Sequence, residues 1–216
     1  MVHFMKRTVK HMSPRLTDQR KEERNRQILQ AAKNVFIRKG YGEASLKDII
    51  EEAGMSRGWI YLYYQTKEEI FEALLDHQDA EYEKELERLK AESSSVWEIV
   101  RELYARQLHD LETYGGGIVP AFYEYFLVGW RDSSRSELLQ ERYQKGIERF
   151  GKLLQAGADS GEFAPSMNTA DIAKLASSFQ EGIVTHSVTI GLHKANTQLQ
   201  FEALLRYLYD LLHAEK

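Results

Sequence analysis

Between Pro14 and Pro120 the chain contains no proline, and across that interval apolar residues return every three or four positions. Proline inside a helix removes a backbone donor and clashes with the carbonyl four residues back, so its long absence leaves helix formation unopposed. Apolar recurrence at three and four puts those residues on one helical stripe, whereas a strand would need alternation. The chain is therefore expected to be all-α, without a convincing strand.

Local stop and start signals divide this interval. A first helix is expected from about Arg20 to Lys39, burying Ile28, Leu29, Ala32, Val35 and Phe36, with Gly40 as its terminating residue. Ser45 caps a short second helix, and Asp48 stands at its third position, where a carboxylate can answer the cap. Gly54 ends it, and Ser56 opens a third helix, about Arg57 to Tyr64, after a three-residue turn. Thr66 caps a fourth that runs unbroken to about Glu92. Beyond it, Ser95 caps a helix over about 96–113, a long helix follows Ser134, Asn168 or Thr169 opens one through about Ile190, and Thr197 begins a last one through Leu212.

Charge is divided unevenly along the same line. Residues 1–67 carry fourteen Lys and Arg against seven Asp and Glu, a net of +7, while the remainder carries fifteen against twenty-six, a net of −11. A basic head on an acidic body suits a polyanion binder with a separate domain that does not touch the polyanion, although charge runs are also found on solvated helix faces. The charge split agrees with a division into a flexible basic segment over 1–19, a basic unit over 20–65 suited to a polyanion and a helical body over 66–216, which a fold for the basic unit must decide.

Composition removes several classes of function. With 43% hydrophobic and 29% charged residues the 216-residue chain can bury a sizeable core and is unlike a disordered tail. No run of eighteen apolar residues offers a membrane span, and the first residues lack the apolar stretch and cleavage site of a secretory signal, so a cytoplasmic location is expected. The absence of cysteine rules out disulfides, thiolate nucleophiles and zinc sites with cysteine ligands. No His-Glu-x-x-His pair, no Gly-x-Ser-x-Gly elbow and no dinucleotide fingerprint is present, so neither an enzyme nor a cofactor is expected. The remote alternative, a metal-dependent helical enzyme, would rest on Asp76, His77 and Asp79, which otherwise form a solvated cluster. Gly115-Gly116-Gly117 lacks the strand and the Lys-Ser/Thr pair of a phosphate loop and reads as a hinge or loop.

Helix, glycine-containing turn, helix is the outline of a helix-turn-helix. The string Ser45-Leu46-Lys47-Asp48-Ile49-Ile50-Glu51-Glu52-Ala53-Gly54-Met55-Ser56-Arg57-Gly58-Trp59-Ile60-Tyr61-Leu62-Tyr63-Tyr64-Gln65-Thr66-Lys67-Glu68-Glu69-Ile70, with Ile28 to Ala32 and Phe36 to Gly42 before it, closely resembles the DNA-binding head of the TetR (tetracycline repressor) family. The match spans about Arg24 to Leu75 and departs at Trp59, where a small or hydroxyl residue is common, and at Tyr64, where Phe is usual.

The resemblance implies a third helix lying in the major groove of double-stranded DNA. Ile60 and Tyr64 then face the core with Met55, leaving Arg57, Trp59, Leu62 and Tyr63 outward. Arg57 is the favoured base reader, since a guanidinium can donate two parallel bonds to guanine. Gly58 would let the backbone approach the duplex. Trp59 would either lie against a thymine methyl or sugar edge or pack on the fourth helix. Lys47 resembles a family position that touches bases or phosphates. Tyr61 is similar to a tyrosine whose hydroxyl meets a phosphate, and Tyr63 would do the same. Lys67, at a helix start where free N–H groups already favour an anion, is expected on a phosphate, with Ser45 and Ser56 as caps at the two preceding starts. Before the first helix, Lys6, Arg7, Lys10 and Arg15 would form either a minor-groove arm or a plain tail, and Met12-Ser13-Pro14 also reads as an alternative start.

For the body the resemblance is architectural. Trp97, Tyr104, Phe122, Tyr123, Phe126, Trp130 and Tyr143, with His109 or Glu124 as polar anchors, are the expected lining of a pocket for a small-molecule effector, against the simpler role of core filling. The last two helices, one with Ala173, Ala176, Ser177 and Gly182 and the other with Phe201, Leu204, Leu205, Leu208, Leu211 and Leu212, are expected to pair with their symmetry mates in a homodimer. The sequence thus leads to a ligand-responsive regulator, a repressor on a palindromic operator, with an effector-free architectural DNA binder as the alternative.

Overall fold

The computed structural model describes residues 18–213, which form ten helices and, among the described residues, no strand. They are α1 (Asp18–Glu43), α2 (Leu46–Ala53), α3 (Arg57–Ile60), α4 (Lys67–Glu92), α5 (Val96–Tyr114), α6 (Val119–Val128), α7 (Ser133–Asp159), α8 (Thr169–Ile190), α9 (Leu192–Ala195) and α10 (Thr197–Leu212). The basic residues Lys6, Arg7, Lys10 and Arg15 lie outside the described residues.

The boundaries follow from side chains that satisfy the free N–H groups of each first turn. Ser45 and Asp48 close a reciprocal capping box at α2: the Asp48 amide donates to Ser45 Oγ at 3.2 Å and the Ser45 amide to Asp48 Oδ2 at 2.9 Å. The Lys39 ammonium, 2.6 Å from Oδ1, and then the Ser45 donors hold the Asp48 carboxyl down at about 2. Thr66 and Ser95 accept from the amides of Glu69 and Glu98. A residue far along the chain completes the start of α5, where Glu162 accepts from the Val96 and Trp97 amides and from Ser95 Oγ at 2.7–2.9 Å.

The first helix ends where the sequence puts its stop: helical geometry in α1 breaks at Gly40 (φ 74°, ψ 174°), and a short further stretch runs to Glu43. The departure from the sequence expectation concerns α3. The third helix is one turn long. At Leu62 and Tyr63 the chain tightens into bonds spanning three residues (Leu62 N to Trp59 O, Tyr63 N to Ile60 O), so Tyr61 to Tyr63 form turns rather than helix.

Two hydrophobic cores result. The head core gathers Ile28, Ala32, Val35 and Phe36 of α1, Ile49 of α2, Ile60 of α3 and Ile70, Phe71 and Leu74 of α4, and it also takes Ile118, Ala121, Tyr125 and Phe126 from the region of α6. The body core is built from α5, α7, α8 and α10 around Val100, Tyr104, Leu154, Ile172, Leu204 and Leu208. Thus α6 belongs to the body in sequence and packs against α1 in space.

Candidate nucleic-acid interface

The helix-turn-helix is formed by α2, the turn Gly54-Met55-Ser56 and α3. Gly54 adopts the left-handed conformation (φ 62°, ψ 26°) and its amide donates to Glu51 O, which turns the chain sharply enough to drop Met55 into the core. Inward residues Ile60 and Met55 are buried as their spacing requires, whereas Tyr64 is half-buried and donates to Asn25 Oδ1 of α1 at 2.6 Å.

Of the ten residues expected at the DNA, Ser45, Lys47, Ser56, Arg57, Gly58 and Leu62 are exposed. Arg57 is exposed, its Nη2 donates to Tyr61 Oη at 3.1 Å, and its guanidinium carbon lies 5.1 Å from the centre of that ring. One turn of helix separates the two, so they present a single donor-rich edge. Leu62 is 72% exposed, which leaves it open to an apolar base edge. Nothing stands within 4 Å of a side chain built on Gly58, so the backbone there is open to approach. Lys47 is exposed beside Glu51. Ser56 is exposed and its hydroxyl makes no capping bond, whereas Ser45 Oγ is engaged by Asp48. Tyr63 is half-buried against the head core. Trp59 also packs against that core, under Arg24 of α1 rather than outward alone.

Lys67 requires a correction. Its ammonium donates to the carbonyls of Tyr41 (2.9 Å), Gly42 (3.3 Å) and Ala44 (2.9 Å) and lies 4.5 Å from the Tyr41 ring centre. Three donors meet three acceptors, so this lysine ties the end of α1 to the start of α4 and is not presented to a phosphate.

The expected ligand set needs a second correction, because its members do not converge. Phe122 and Phe126 join the head core; Trp97, Tyr104 and Tyr123 join the body core. Trp97 packs on Tyr209 and His213, and Tyr104 lies near Phe150 and Phe201. Trp130 is 64% exposed beside Arg131, and Tyr143 and His109 are exposed. Only Tyr104 of the set lines the open groove of about 380 Å³ between α5 and α10, with Leu108, Phe201 and Leu205. Aromatic density in the sequence reflected two cores and a surface. The Asp76–Asp79 cluster is likewise engaged: both carboxylates accept from Arg142 at 2.7 Å.

Glu124 lies at a junction that the sequence did not reveal. Its Oε2 accepts from the Gly42 amide at 2.8 Å, directly against Gly40. Beside it, Tyr41 donates to Glu68 Oε1 at 2.6 Å and Tyr125 to Glu72 Oε1 at 2.5 Å. Burial, and then the accepting carboxylate, push both phenols well above their ordinary range, so both remain donors at any physiological pH. Tyr41, Phe71 and Tyr125 make edge and tilted ring contacts at 4.8–5.0 Å, and the Arg135 guanidinium of α7 lies over both tyrosine rings. The sequence marked this place through Gly40, read as the end of the first helix.

The family model described as "Bacterial regulatory proteins, tetR family" matches residues 28–74, and that described as "Tetracyclin repressor-like, C-terminal domain" matches 100–198. The uncharacterized HTH-type transcriptional regulator YfiR of Bacillus subtilis is 35% identical over 205 residues, covering 95% of this chain and all of the relative. The chain belongs to the TetR family of transcriptional regulators. QacR, an HTH-type transcriptional regulator of Staphylococcus aureus, is 24% identical over 73% of this chain and 82% of its own. The fold is shared with reduced NemR of Escherichia coli (TM-score 0.73, 15% identity, 89% and 98% of the two chains) and with FadR of Bacillus subtilis in complex with stearoyl-CoA (TM-score 0.68, 20% identity, 87% and 99%). This TetR-family protein is a DNA-binding regulator and not an enzyme. Among the described residues no helix is long and apolar enough to cross a membrane.

Proposed function

We propose that this TetR-family regulator is a homodimeric repressor whose two heads occupy a palindromic operator and leave it when a small apolar or aromatic molecule binds the body. The placement of α6 carries this reading. Its Ala121, Tyr125 and Phe126 are buried in the head core while Val119 and Tyr123 pack against the body core, so a displacement of α6 reorients the head. Linkage then requires an effector that prefers the displaced arrangement to weaken DNA binding by its differential affinity, about 1–3 kcal/mol in typical cases. The stearoyl-CoA bound to FadR supports an apolar ligand for a body of this fold.

The outer face of α8 and α10 supports the dimer. Phe179 is 51% exposed and its ring lies 5.4 Å from Tyr207 of α10, with Ile190 and Leu199 also exposed. Pairing this face with its symmetry mate makes a four-helix bundle. Phe179→Glu is expected to give a monomer by sedimentation velocity and, because the second head no longer binds at high effective concentration, a loss of at least about 100-fold on a palindromic duplex. A Phe179→Glu variant that stays dimeric removes this face from the interface.

Selecting duplexes from a random library tests the DNA reading. The expected product is an inverted repeat, and Arg57→Ala is expected to lose about 1–3 kcal/mol on it with little change on shuffled DNA. Equal losses on both sequences refute base reading by Arg57. The dispersal of the aromatic set favours a second reading, a DNA binder without effector. A compound screen by thermal shift separates the two: the first requires a stabilising compound that also releases DNA.

A further inference from the structure

We infer that Arg24 of α1 grips a DNA phosphate, with Trp59 of α3 as the platform that holds its guanidinium in place. The inference rests on the assignment of α3 as the DNA-reading helix and adds a residue outside the helix-turn-helix to it.

The guanidinium carbon of Arg24 lies 5.0 Å from the centre of the Trp59 indole. A guanidinium carries its five N–H donors in its own plane, so lying over a ring leaves those donors unengaged. Among the described residues Arg24 makes no hydrogen bond and no ion pair, although Arg26, two residues on, is paired with Glu23. A half-buried arginine held by a ring and otherwise without an acceptor is poised for an anion.

Its position is fixed from both sides. One residue beyond Arg24, Asn25 accepts from Tyr64, and three beyond, Gln27 Nε2 donates to Ala53 O at the end of α2 at 3.1 Å. These two bonds set α1 against both ends of the helix-turn-helix. Arg24 therefore keeps a constant offset from Arg57 and Leu62, and when those residues enter the groove it is carried to the flanking backbone. On this assignment Trp59 is a positioning residue and does not read a base, which accounts for an indole where the family commonly has a small or hydroxyl residue.

The test uses the full-length protein, the duplex it selects from a random library and a shuffled duplex of the same length, with affinity measured across a salt series. Arg24→Gln is expected to lose affinity equally on both duplexes and to flatten the slope of log K against log salt by about one per protomer. Trp59→Leu is expected to weaken both duplexes several-fold, and the double variant to bind no worse than Arg24→Gln alone. Thermal unfolding of each variant separates misfolding from lost contacts, and Arg24→Lys, which keeps a charge, should recover part of the slope. An unchanged slope in folded Arg24→Gln overturns the phosphate contact, as does a loss confined to the selected duplex. A double variant whose losses multiply overturns the platform. A parent protein that prefers no duplex would instead defeat the DNA-reading assignment of α3 itself.

Discussion

Gly40→Ala is expected to destabilise the protein by about 2–4 kcal/mol and to lower its melting temperature by about 5–15 °C. Two costs combine. At φ 74° and ψ 174° the backbone of residue 40 occupies a region open almost only to glycine, and a Cβ there would stand 2.5–2.9 Å from the carboxylate atoms of Glu124. Glu124 is flexible and can swing away, but it then abandons the Gly42 amide, which it holds at 2.8 Å. The steric clash is thus exchanged for a lost charge-assisted hydrogen bond, and the backbone strain remains. Glu124→Gln, which keeps the shape and removes the charge, is expected to lose about 1 kcal/mol. Denaturant unfolding of the two variants checks the ordering; Gly40→Ala within 0.5 kcal/mol of the parent, by order of magnitude on the usual scale of neutral substitutions, contradicts the strain argument.

Much of the helical plan was legible because caps act locally. Ser45 with Asp48, Thr66 and Ser95 each needed partners only three residues away, and each predicted start lies within a residue or two of the observed one. The one-turn α3 was less legible, since the segment after it is held at Tyr64 by Asn25, thirty-nine residues earlier, a contact that no local signal announces. Within the interface Arg57 and Tyr61 are four apart, a spacing that puts them together on any helix, whereas Arg24 and Trp59 meet only once α1 has packed on α3. Periodicity shows that an aromatic side chain faces inward but not which core receives it. Phe126 and Tyr123 stand three apart on α6, yet one enters the head core and the other packs on the body. That division placed Glu124 at the joint with the head, and it is why density of aromatic residues was a poor guide to a pocket.

Lys67→Met separates two roles that sequence position alone confuses. A lysine in the first turn of a helix, next to the groove-facing segment, suits a phosphate contact, and its removal would then flatten the salt dependence by about one per protomer while leaving the fold intact. The observed ammonium instead donates to three carbonyls at the end of α1 and in the link to α2. Methionine keeps most of the aliphatic stem but supplies no donor, so those carbonyls are left to water or unpaired. Hydrogen bonds from a charged donor contribute about 1.5–3 kcal/mol; because the site is partly open to solvent, the expected loss is about 2 kcal/mol in total. The salt slope on DNA should stay that of the parent, and any fall in affinity should be the same at low and high salt, because it arises from a loosened joint between α1 and α4. The destabilisation should also be non-additive with Gly40→Ala, since both variants release the same turn between α1 and α2. A stable Lys67→Met protein with a flattened slope would return this residue to the phosphate backbone and require its ammonium to leave the three carbonyls on binding.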